Sequence, residues 1–314
     1  MNLLLTDCAT LGEGIDLSCF QAFGETRTFK NISRRQLLDA VPSADVILCN
    51  KTLIDREVLD AAKKLRYIGL FATGCNNIDL KAAAEKGIAV CNAGSYSTNA
   101  VVQQVMGYIL LHYTRIPQYD AFVKAGGWKK SEVFSPLVFQ SDEVFGKTLG
   151  IVGYGHIGQA LRKAAEGLGM RVIVYTRTPK QGDDTAFVSF ETLLAQSDIV
   201  SMHCPLNPQS EKMMNEQAFA AMKDGAFFIN TARGGVVDES ALLHALQSGK
   251  LSGAAVDVLT TEPMAQDCVL MDAPNLIFTP HTAWAPLATR QRLVSIVYDN
   301  LSVFLNGGRR NRVV

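Results

Sequence analysis

The chain has 314 residues, of which 48% are hydrophobic and 19% charged, and its formal net charge at pH 7 is zero. This composition is typical of a globular enzyme, and the length favours two domains because single cores stop growing at roughly 250–300 residues. The balanced charge excludes a global basic field of the kind that holds nucleic acid or an anionic membrane. We therefore expect neither nucleic acid nor a membrane as a partner.

The N-terminal run MNLLLTDCAT predicts a first strand, because it lacks the basic start and the long apolar stretch of a signal peptide. No segment reaches the roughly 20 apolar residues that a membrane span needs. The seven cysteines are scattered and form no CxxC pair. They predict reduced thiols in a cytoplasmic protein rather than disulfides or metal ligands, and we expect no metal site.

Short apolar runs alternate with helix-like segments along the chain. The runs are continuous rather than alternating, which is typical of strands buried on both faces of a parallel sheet. Strands are predicted at 2–6, 45–49, 67–72, 88–92, 148–153, 171–176, 199–203, 226–230, 253–258 and 275–279. Helices are predicted at 33–38, 56–63, 80–86, 157–168, 190–196, 216–222 and 239–248. This alternation predicts a doubly wound α/β fold.

Two series of strands and helices divide the chain, the second beginning near Phe145. A long helical stretch from Asn99 to about Lys124 lies between them, and another at 286–305 returns the chain to the first series. We predict two doubly wound parallel-sheet α/β domains. A flavodoxin-like substrate domain spans 1–98 and 285–314, and a Rossmann-type cofactor domain spans 99–284, with a ligand-binding interdomain cleft.

Gly153, Gly155 and Gly158 form a GxGxxG motif between a predicted strand and a predicted helix. The spacing alone is weak evidence, but this context gives each glycine a task. The first allows the tight turn, the second admits the pyrophosphate, and the third lets the helix pack on the strand. Amides at the helix start, at His156 and Ile157, would face the pyrophosphate. The motif therefore predicts a dinucleotide-binding site.

The segment after the next strand indicates which dinucleotide binds. NAD sites usually carry an acidic residue about 20 residues after the motif, to bind the ribose hydroxyls. Here the segment is Thr176, Arg177 and Thr178, and no carboxylate follows before Asp183. Arg177 can pair with a 2′-phosphate through charge-assisted hydrogen bonds, and Lys180 adds positive charge. We predict a preference for NADP(H), with NAD as the second option. The alternative is that Arg177 is a solvated surface residue and either cofactor binds.

Three further segments place charged groups just past predicted strands. Arg233 lies in FFINTARGGVVD, Asp257 and Glu262 lie in GAAVDVLTTEP, and His281 lies in LIFTPHTAW. Open α/β sheets bind ligands at this edge. Each residue also has an ordinary explanation: Arg233 could pair with Asp238, Glu262 could be a turn residue, and a lone histidine is usually structural. Together they supply a cation, an acid/base group and a carboxylate.

With GYGHIG, SDIVSMHCPLNPQSEKMMN, MKDGAFFINTARGGVVDESAL and the Glu and His segments in this order, the chain resembles the D-isomer-specific 2-hydroxyacid dehydrogenase family over nearly its whole length. LFATGCNNID, YSTNAVVQQ and HTAWAP are most similar to its glycerate dehydrogenase (hydroxypyruvate reductase) group. The resemblance implies NAD(P)H-dependent reduction of small 2-keto acids, hydroxypyruvate and glyoxylate, to D-2-hydroxy acids. It also implies a homodimer formed through the region of Val101–Tyr113, an apolar segment longer than one small domain needs to bury; the alternative is that this segment is a long internal helix.

The resemblance assigns roles to matching positions. Arg233 would bind the substrate carboxylate and polarise the keto oxygen, His281 would exchange the proton, and Glu262 would pair with His281. Asp257 would contact the nicotinamide amide. The implied cofactor path continues through His203, Cys204, Pro205, Thr231 and Ala232, and the implied substrate contacts are Thr73, Gly74, Cys75 and Trp284.

Some positions depart from the family or remain open. Val102 and Gln103 replace the common Ala-Glu, and Cys75 and Asn76 replace the more usual Val and Asp. Lys51 follows a predicted strand and could contact a hydroxyl or anionic group of the substrate, or be an ordinary surface lysine. The rival functions are reduction of a different 2-keto acid and a catalytically silent, dinucleotide-sensing binding protein on the same fold.

Overall fold

The computed structural model describes residues 1–179 and 184–314. It divides the chain into two compact units. Unit 1 comprises Met1–Ser97 and Ala285–Val314, and unit 2 comprises Thr98–Trp284. Lys180 and Asp183, which entered the cofactor prediction, lie outside the described residues.

Unit 1 is built on a parallel sheet with the strand order β2-β1-β3-β4-β5. This is the flavodoxin-like order of a doubly wound fold. The strands are β1 (Asn2–Leu5), β2 (Glu25–Thr28), β3 (Val46–Cys49), β4 (Tyr67–Leu70) and β5 (Ala89–Cys91). The helices are α1 (Arg34–Ala40), α2 (Arg56–Ala61), α3 (Leu80–Glu85) and α10 (Leu287–Leu305).

Three of the helices of unit 1, α1, α2 and α3, begin where side chains cap them. Ser33 and Gln36 form a capping box at α1, and Asp55 and Asp79 accept backbone N–H groups at α2 and α3. The central strands β3 and β4 are buried along their whole length. Burial on both faces explains why these strands appear as unbroken apolar runs in the sequence.

Unit 2 is built on a second parallel sheet, with the order β11-β10-β9-β8-β6-β7. Phe187 adds one parallel bridge to Val174 of β7, so the order is that of a Rossmann fold with its third strand reduced to a bridge. The strands are β6 (Thr148–Val152), β7 (Arg171–Tyr175), β8 (Ile199–Met202), β9 (Ala226–Asn230), β10 (Leu251–Val256) and β11 (Leu276–Phe278). The helices are α4 (Thr98–Thr114), α5 (Ile116–Lys124), α6 (His156–Gly167), α7 (Phe190–Gln196), α8 (Glu216–Ala221) and α9 (Glu239–Gln247).

The sheet of unit 2 buries an apolar layer on each face. Phe228 of β9 packs into one layer with Leu193 and Phe219, whereas its neighbour Phe227 packs into the other with Ile109 and other residues of α4. Consecutive residues of β9 therefore serve opposite cores, as the period of a strand requires.

The predicted fold class, two doubly wound α/β domains that each contain a parallel sheet, is confirmed. Strand β2 was not predicted, because its sequence ETRT is largely exposed and has no apolar run. The single long helix predicted from Asn99 to Lys124 is wrong. The chain breaks at Arg115, which has φ 56°, and Pro117 lies in the first turn of α5. Proline there lacks an N–H and its ring would clash with a preceding carbonyl inside a continuous helix.

None of the helices in the described part of the chain is long and apolar enough to cross a membrane. All seven cysteines are free thiols.

Candidate active site

Three adjacent strands of unit 2 end beside the charged residues found in the sequence. Arg233 follows β9, Asp257 follows β10, and His281 follows β11, and these strands are neighbours in the sheet. All of the strands are parallel, so their carboxyl ends lie at one edge. The topology therefore brings these segments to the same edge of one sheet.

His281 and Glu262 form a direct pair. The imidazole Nδ1 lies 2.7 Å from Glu262 Oε2, and both side chains are about one-third exposed. The other carboxylate oxygen of Glu262 accepts the backbone N–H of Leu259 at 3.0 Å, which fixes the direction of the carboxylate. With Nδ1 committed to Glu262, Nε2 is the ring nitrogen left for a substrate.

The backbone of His281 is held in an uncommon conformation. Its φ is 54°, in the left-handed region that residues with a Cβ rarely adopt. The backbone N–H donates to the carbonyl oxygens of Asp257 at 2.7 Å and Thr279 at 3.0 Å. A backbone conformation of this kind persists only where the surrounding structure stabilises it, and such conformations cluster at functional sites.

Asp257 is a buried carboxylate that organises the His281 loop. It is 3% exposed and accepts the backbone N–H groups of Thr282 and Ala283 at 2.9 and 3.0 Å. The Thr279 hydroxyl also donates to it. Burial raises the pKa of Asp257, against the lowering effect of these hydrogen bonds. The carboxylate thus ties both sides of His281 to the end of β10.

Arg233 is positioned through its own backbone. The buried side chain of Asn230 accepts the N–H of Ala232 at 3.0 Å and donates to the carbonyl of Arg233 at 2.9 Å. The guanidinium donates to the carbonyl of Ala232 at 2.7 Å and, within the described residues, forms no ion pair. The alternative partner Asp238 instead pairs with Lys212 at 3.2 Å. Arg233 therefore keeps its charge available for an anion.

Gly234, next to Arg233, packs closely against the backbone that precedes Glu262. A Cβ added at Gly234 would lie 1.9 Å from the carbonyl carbon of Leu259, so no larger residue fits without moving backbone. Leu259 is the residue whose N–H holds Glu262. Close packing of the two backbones therefore couples the loop that carries Arg233 to the loop that carries Glu262.

The glycine motif has the geometry that a dinucleotide requires. Gly153 has φ 101°, and a Cβ there would lie 2.7 Å from the backbone of His203 and Cys204. A Cβ at Gly155 would meet no described atom within 4 Å, whereas one at Gly158 would lie 2.4 Å from the carbonyl oxygen of Gly153. Open space thus lies above the middle glycine, at the start of α6, where the free N–H groups of a helix can bind a phosphate.

A cavity of about 550 Å³ lies at this loop. Its lining includes many of the predicted cofactor residues, namely Gly153, Gly155, Thr176, Arg177, Thr178, His203, Cys204 and Pro205. His156, Ile157, Gly158, Thr231, Ala232 and Asp257 are not part of this lining. The sequence interpretation missed the other lining residues, which are Val152, Tyr154, Tyr175, Asn207, Gln209, Ser210 and Met213. The Asn-Pro pair at 207–208, a turn signal next to the predicted Pro205, would have pointed to part of this set.

Two predicted cofactor residues carry buried polar atoms that lack a partner among the described residues, His203 Nδ1 and Thr231 Oγ1. Burial lowers the pKa of His203 to about 4, so the ring is neutral at physiological pH, and its Nε2 lies 2.9 Å from Ser201 Oγ. Unpaired buried polar atoms are costly, which makes them candidates for ligand contacts.

In unit 1, the predicted substrate residue Lys51 lies on a loop organised by Asp7. Asp7 is 3% exposed, and its carboxylate accepts the backbone N–H groups of Asn50, Lys51 and Thr52 at 2.5–2.9 Å. The sequence interpretation gave Asp7 no role, because a single acid after a strand has no distinctive pattern. The exposed side chain of Lys51 extends from this fixed backbone.

The predicted turn Thr73, Gly74 and Cys75 follows β4 in unit 1 and is also anchored. The Thr73 hydroxyl donates to the carbonyl of Gly94, and Asn92 donates to the carbonyl of Thr73 at 2.8 Å. Burial raises the pKa of the Cys75 thiol, which is therefore protonated at neutral pH. Trp284, the last residue of unit 2, is half-buried.

A family model described as D-isomer specific 2-hydroxyacid dehydrogenase, NAD binding domain, matches residues 106–283. The chain belongs to the D-isomer-specific 2-hydroxyacid dehydrogenase family. The family predicted from the sequence is therefore confirmed.

Individual relatives are similar over most of their length. The chain is 36% identical to a hydroxypyruvate reductase of Blautia hydrogenotrophica over 100% of this chain and 99% of the relative. It is 40% identical to a glyoxylate reductase of Thermococcus litoralis over 87% of this chain and 84% of the relative. Among solved structures, an NADPH-dependent glyoxylate/hydroxypyruvate reductase of Sinorhizobium meliloti in complex with citrate has a TM-score of 0.85 and 27% identity, covering 100% of this chain and 97% of that one.

Proposed function

We propose that this 2-hydroxyacid dehydrogenase reduces small 2-keto acids, with hydroxypyruvate and glyoxylate as the preferred substrates. One observation carries the proposal: the 2.7 Å pair of His281 and Glu262 lies at the same sheet edge as Arg233, which forms no ion pair with any residue that the structure describes. Reduction of a keto group needs a proton on oxygen and stabilisation of the developing negative charge. The names of the relatives, hydroxypyruvate reductase and glyoxylate reductase, support the substrate class.

In this proposal each residue has a defined role. His281 gives its Nε2 proton to the keto oxygen, and Glu262 stabilises the charged ring and orients it. Arg233 binds the substrate carboxylate and faces the oxygen where charge develops, a contribution worth about 3 kcal/mol of barrier. We assign Lys51 and the Thr73–Cys75 turn of unit 1, together with Trp284, to substrate recognition.

NADP(H) fits the residues of unit 2, and when bound it supplies the hydride. The open space at Gly155 and the start of α6 would receive the pyrophosphate, and the unpartnered His203 Nδ1 and Thr231 Oγ1 are available to the cofactor. Asp257 would contact the nicotinamide amide. A preference for NADP(H) over NAD(H) is supported by Arg177 and by the absence of a carboxylate among Thr176, Arg177 and Thr178.

We propose a homodimer as the functional assembly. Most apolar residues of α4 pack within unit 2, although Leu110 and Leu111 remain more than one-third exposed. The segment that follows α4 exposes several large apolar side chains: Ile116, Val123, Trp128, Val133, Phe134, Leu137, Val138 and Phe145. Clusters of this kind usually mark a protein interface. Sedimentation equilibrium of the purified protein tests the proposal, and a concentration-independent monomer mass would contradict it.

Initial rates test the enzymatic proposal directly. Hydroxypyruvate, glyoxylate and pyruvate are each assayed with NADPH and with NADH. We expect higher kcat/KM for hydroxypyruvate and glyoxylate than for pyruvate, and higher values with NADPH. Absence of turnover across the panel, with tight NADPH binding, would overturn the enzymatic assignment. Equal or better efficiency with NADH would overturn the cofactor preference alone.

A further inference from the structure

The loop at 205–210 forms one wall of the cofactor cavity, and its own side chains fix its shape. Ser210 Oγ donates to the carbonyl of Pro205 at 2.7 Å and accepts the N–H of Asn207 at 2.9 Å. Asn207 Oδ1 accepts the N–H of Gln209 at 3.0 Å. These bonds lock the turn and leave the side chain of Gln209 to face outward from a rigid backbone.

The side chain of Gln209 meets Arg177. Arg177 Nη1 donates to Gln209 Oε1 at 3.3 Å, and both residues line the 550 Å³ cavity. The positive charge of Arg177 also acts on Cys204 in the same wall, where it lowers the thiol pKa against the larger raising effect of burial. The exposed hydrogen bond to Gln209 thus holds the guanidinium at the cavity wall.

The side-chain partner of Arg177 is a neutral amide, whereas several other arginines of the chain pair with carboxylates. Arg34, Arg56 and Arg310 each pair with a carboxylate. In the part of the chain that the structure describes, no carboxylate forms an ion pair with Arg177. An amide restrains the long arginine side chain without cancelling its charge, and this restraint reduces the entropy lost when an anion binds.

We infer that Gln209 is a positioning residue for cofactor selection, since its neutral amide holds the Arg177 guanidinium at the cavity wall for the 2′-phosphate of NADP(H). The inference rests on the proposed NADP(H) preference. A carboxylate at position 209 would pair with Arg177 and repel the phosphate. Glutamine, unlike glutamate of the same size, can therefore position the guanidinium and leave its charge for the phosphate.

Gln209→Glu tests the inference, and Gln217→Glu is the matched control. Gln217 is an exposed residue of α8 outside the cavity lining, so it receives the same chemical change. We expect Gln209→Glu to lower the NADPH/NADH ratio of kcat/KM by about tenfold or more. The Kd for NADPH, measured by fluorescence titration without substrate, should rise by a similar factor, whereas the KM for hydroxypyruvate and the Kd for NADH should stay within about threefold. Gln217→Glu should change none of these values.

Two further variants separate positioning from other causes. Gln209→Met removes the acceptor without adding charge and should weaken NADPH binding by about two- to threefold, whereas an unchanged Kd for NADPH would overturn the positioning role. In an Arg177→Ala background, Gln209→Glu should have a clearly smaller effect on the Kd for NADPH, because its carboxylate no longer neutralises a guanidinium. An undiminished effect in that background would show direct repulsion and overturn the positioning role.

The failures of the two proposals differ. If the wild-type protein uses NADH as well as NADPH, the cofactor preference is wrong and the role of Gln209 falls with it. If the wild-type protein prefers NADPH and Gln209→Glu behaves like Gln217→Glu, the preference stands and the Gln209 inference is overturned. Matching thermal unfolding midpoints for all variants establish that the comparison concerns folded protein.

Discussion

The close packing of Gly234 against Leu259 predicts that activity is sensitive to the spacing between the loop of Arg233 and the loop of Glu262. A Cβ at Gly234 would lie 1.9 Å from the carbonyl carbon of Leu259, and ordinary contact begins at 3.4 Å. Gly234→Ala must therefore separate the two backbones by about 1.5 Å. The displaced N–H of Leu259 holds Glu262, the partner of His281. Since a misplacement of about 1 Å can cost about 100-fold in rate, we expect kcat/KM for hydroxypyruvate to fall by at least about 100-fold.

The neighbouring glycine provides the control. A Cβ at Gly235 would meet only the side-chain carbons of Leu206, the nearest at 3.0 Å, and this flexible side chain can move away. Gly235→Ala should therefore keep kcat/KM within about threefold of wild type. Thermal unfolding and NADPH titration identify folded, cofactor-binding protein in both cases, since overpacking itself costs about 1–3 kcal/mol of stability. If folded Gly234→Ala stays within tenfold of wild type, or Gly235→Ala loses as much activity, the coupling of the two loops is refuted.

Three further outcomes are expected. His281→Gln should lower kcat by about 10²–10⁴ while the Kd for NADPH stays nearly constant, because only proton transfer is lost; a variant that keeps most of its turnover in initial-rate assays would contradict this role. Arg233→Ala should raise KM for hydroxypyruvate and lower kcat by about 10²–10³, and an unchanged KM would argue against carboxylate binding by Arg233. Burial, together with the charge of Arg115, lowers the pKa of His112 from 6.5 to about 4, so unfolding takes up a proton between these two pH values. The free energy of unfolding should fall as the pH falls through this window, by up to about 1.4 kcal/mol per pH unit for this residue. Urea unfolding at several pH values gives the slope of the free energy of unfolding against pH. For His112→Gln this slope should correspond to about one proton fewer taken up on unfolding between pH 4 and 6.5, and an unchanged slope would refute the assignment.

The positions of the helices and most strands follow from local pattern. Runs such as 226–230 are apolar at every position because both faces of β9 are covered, and this burial leaves a signal in consecutive residues. A strand that is largely exposed, as β2 is, has no continuous apolar run and is therefore not predicted from the sequence. The long helix failed for a related reason, since its apolar pattern continues past Arg115 although Pro117 prevents a continuous helix.

The sequence by itself determined the kinds of group available at this site: a glycine motif between a strand and a helix, and a guanidinium, a carboxylate and an imidazole after successive strands. Only the tertiary structure decided which of them touch. Glu262 meets His281 at a sequence separation of 19 residues, and Arg177 meets Gln209 at a separation of 32. Residue type and short-range periodicity are local properties, whereas these contacts depend on the order of the parallel strands and on the close approach of backbone at Gly234, which arise only when the whole sheet is packed.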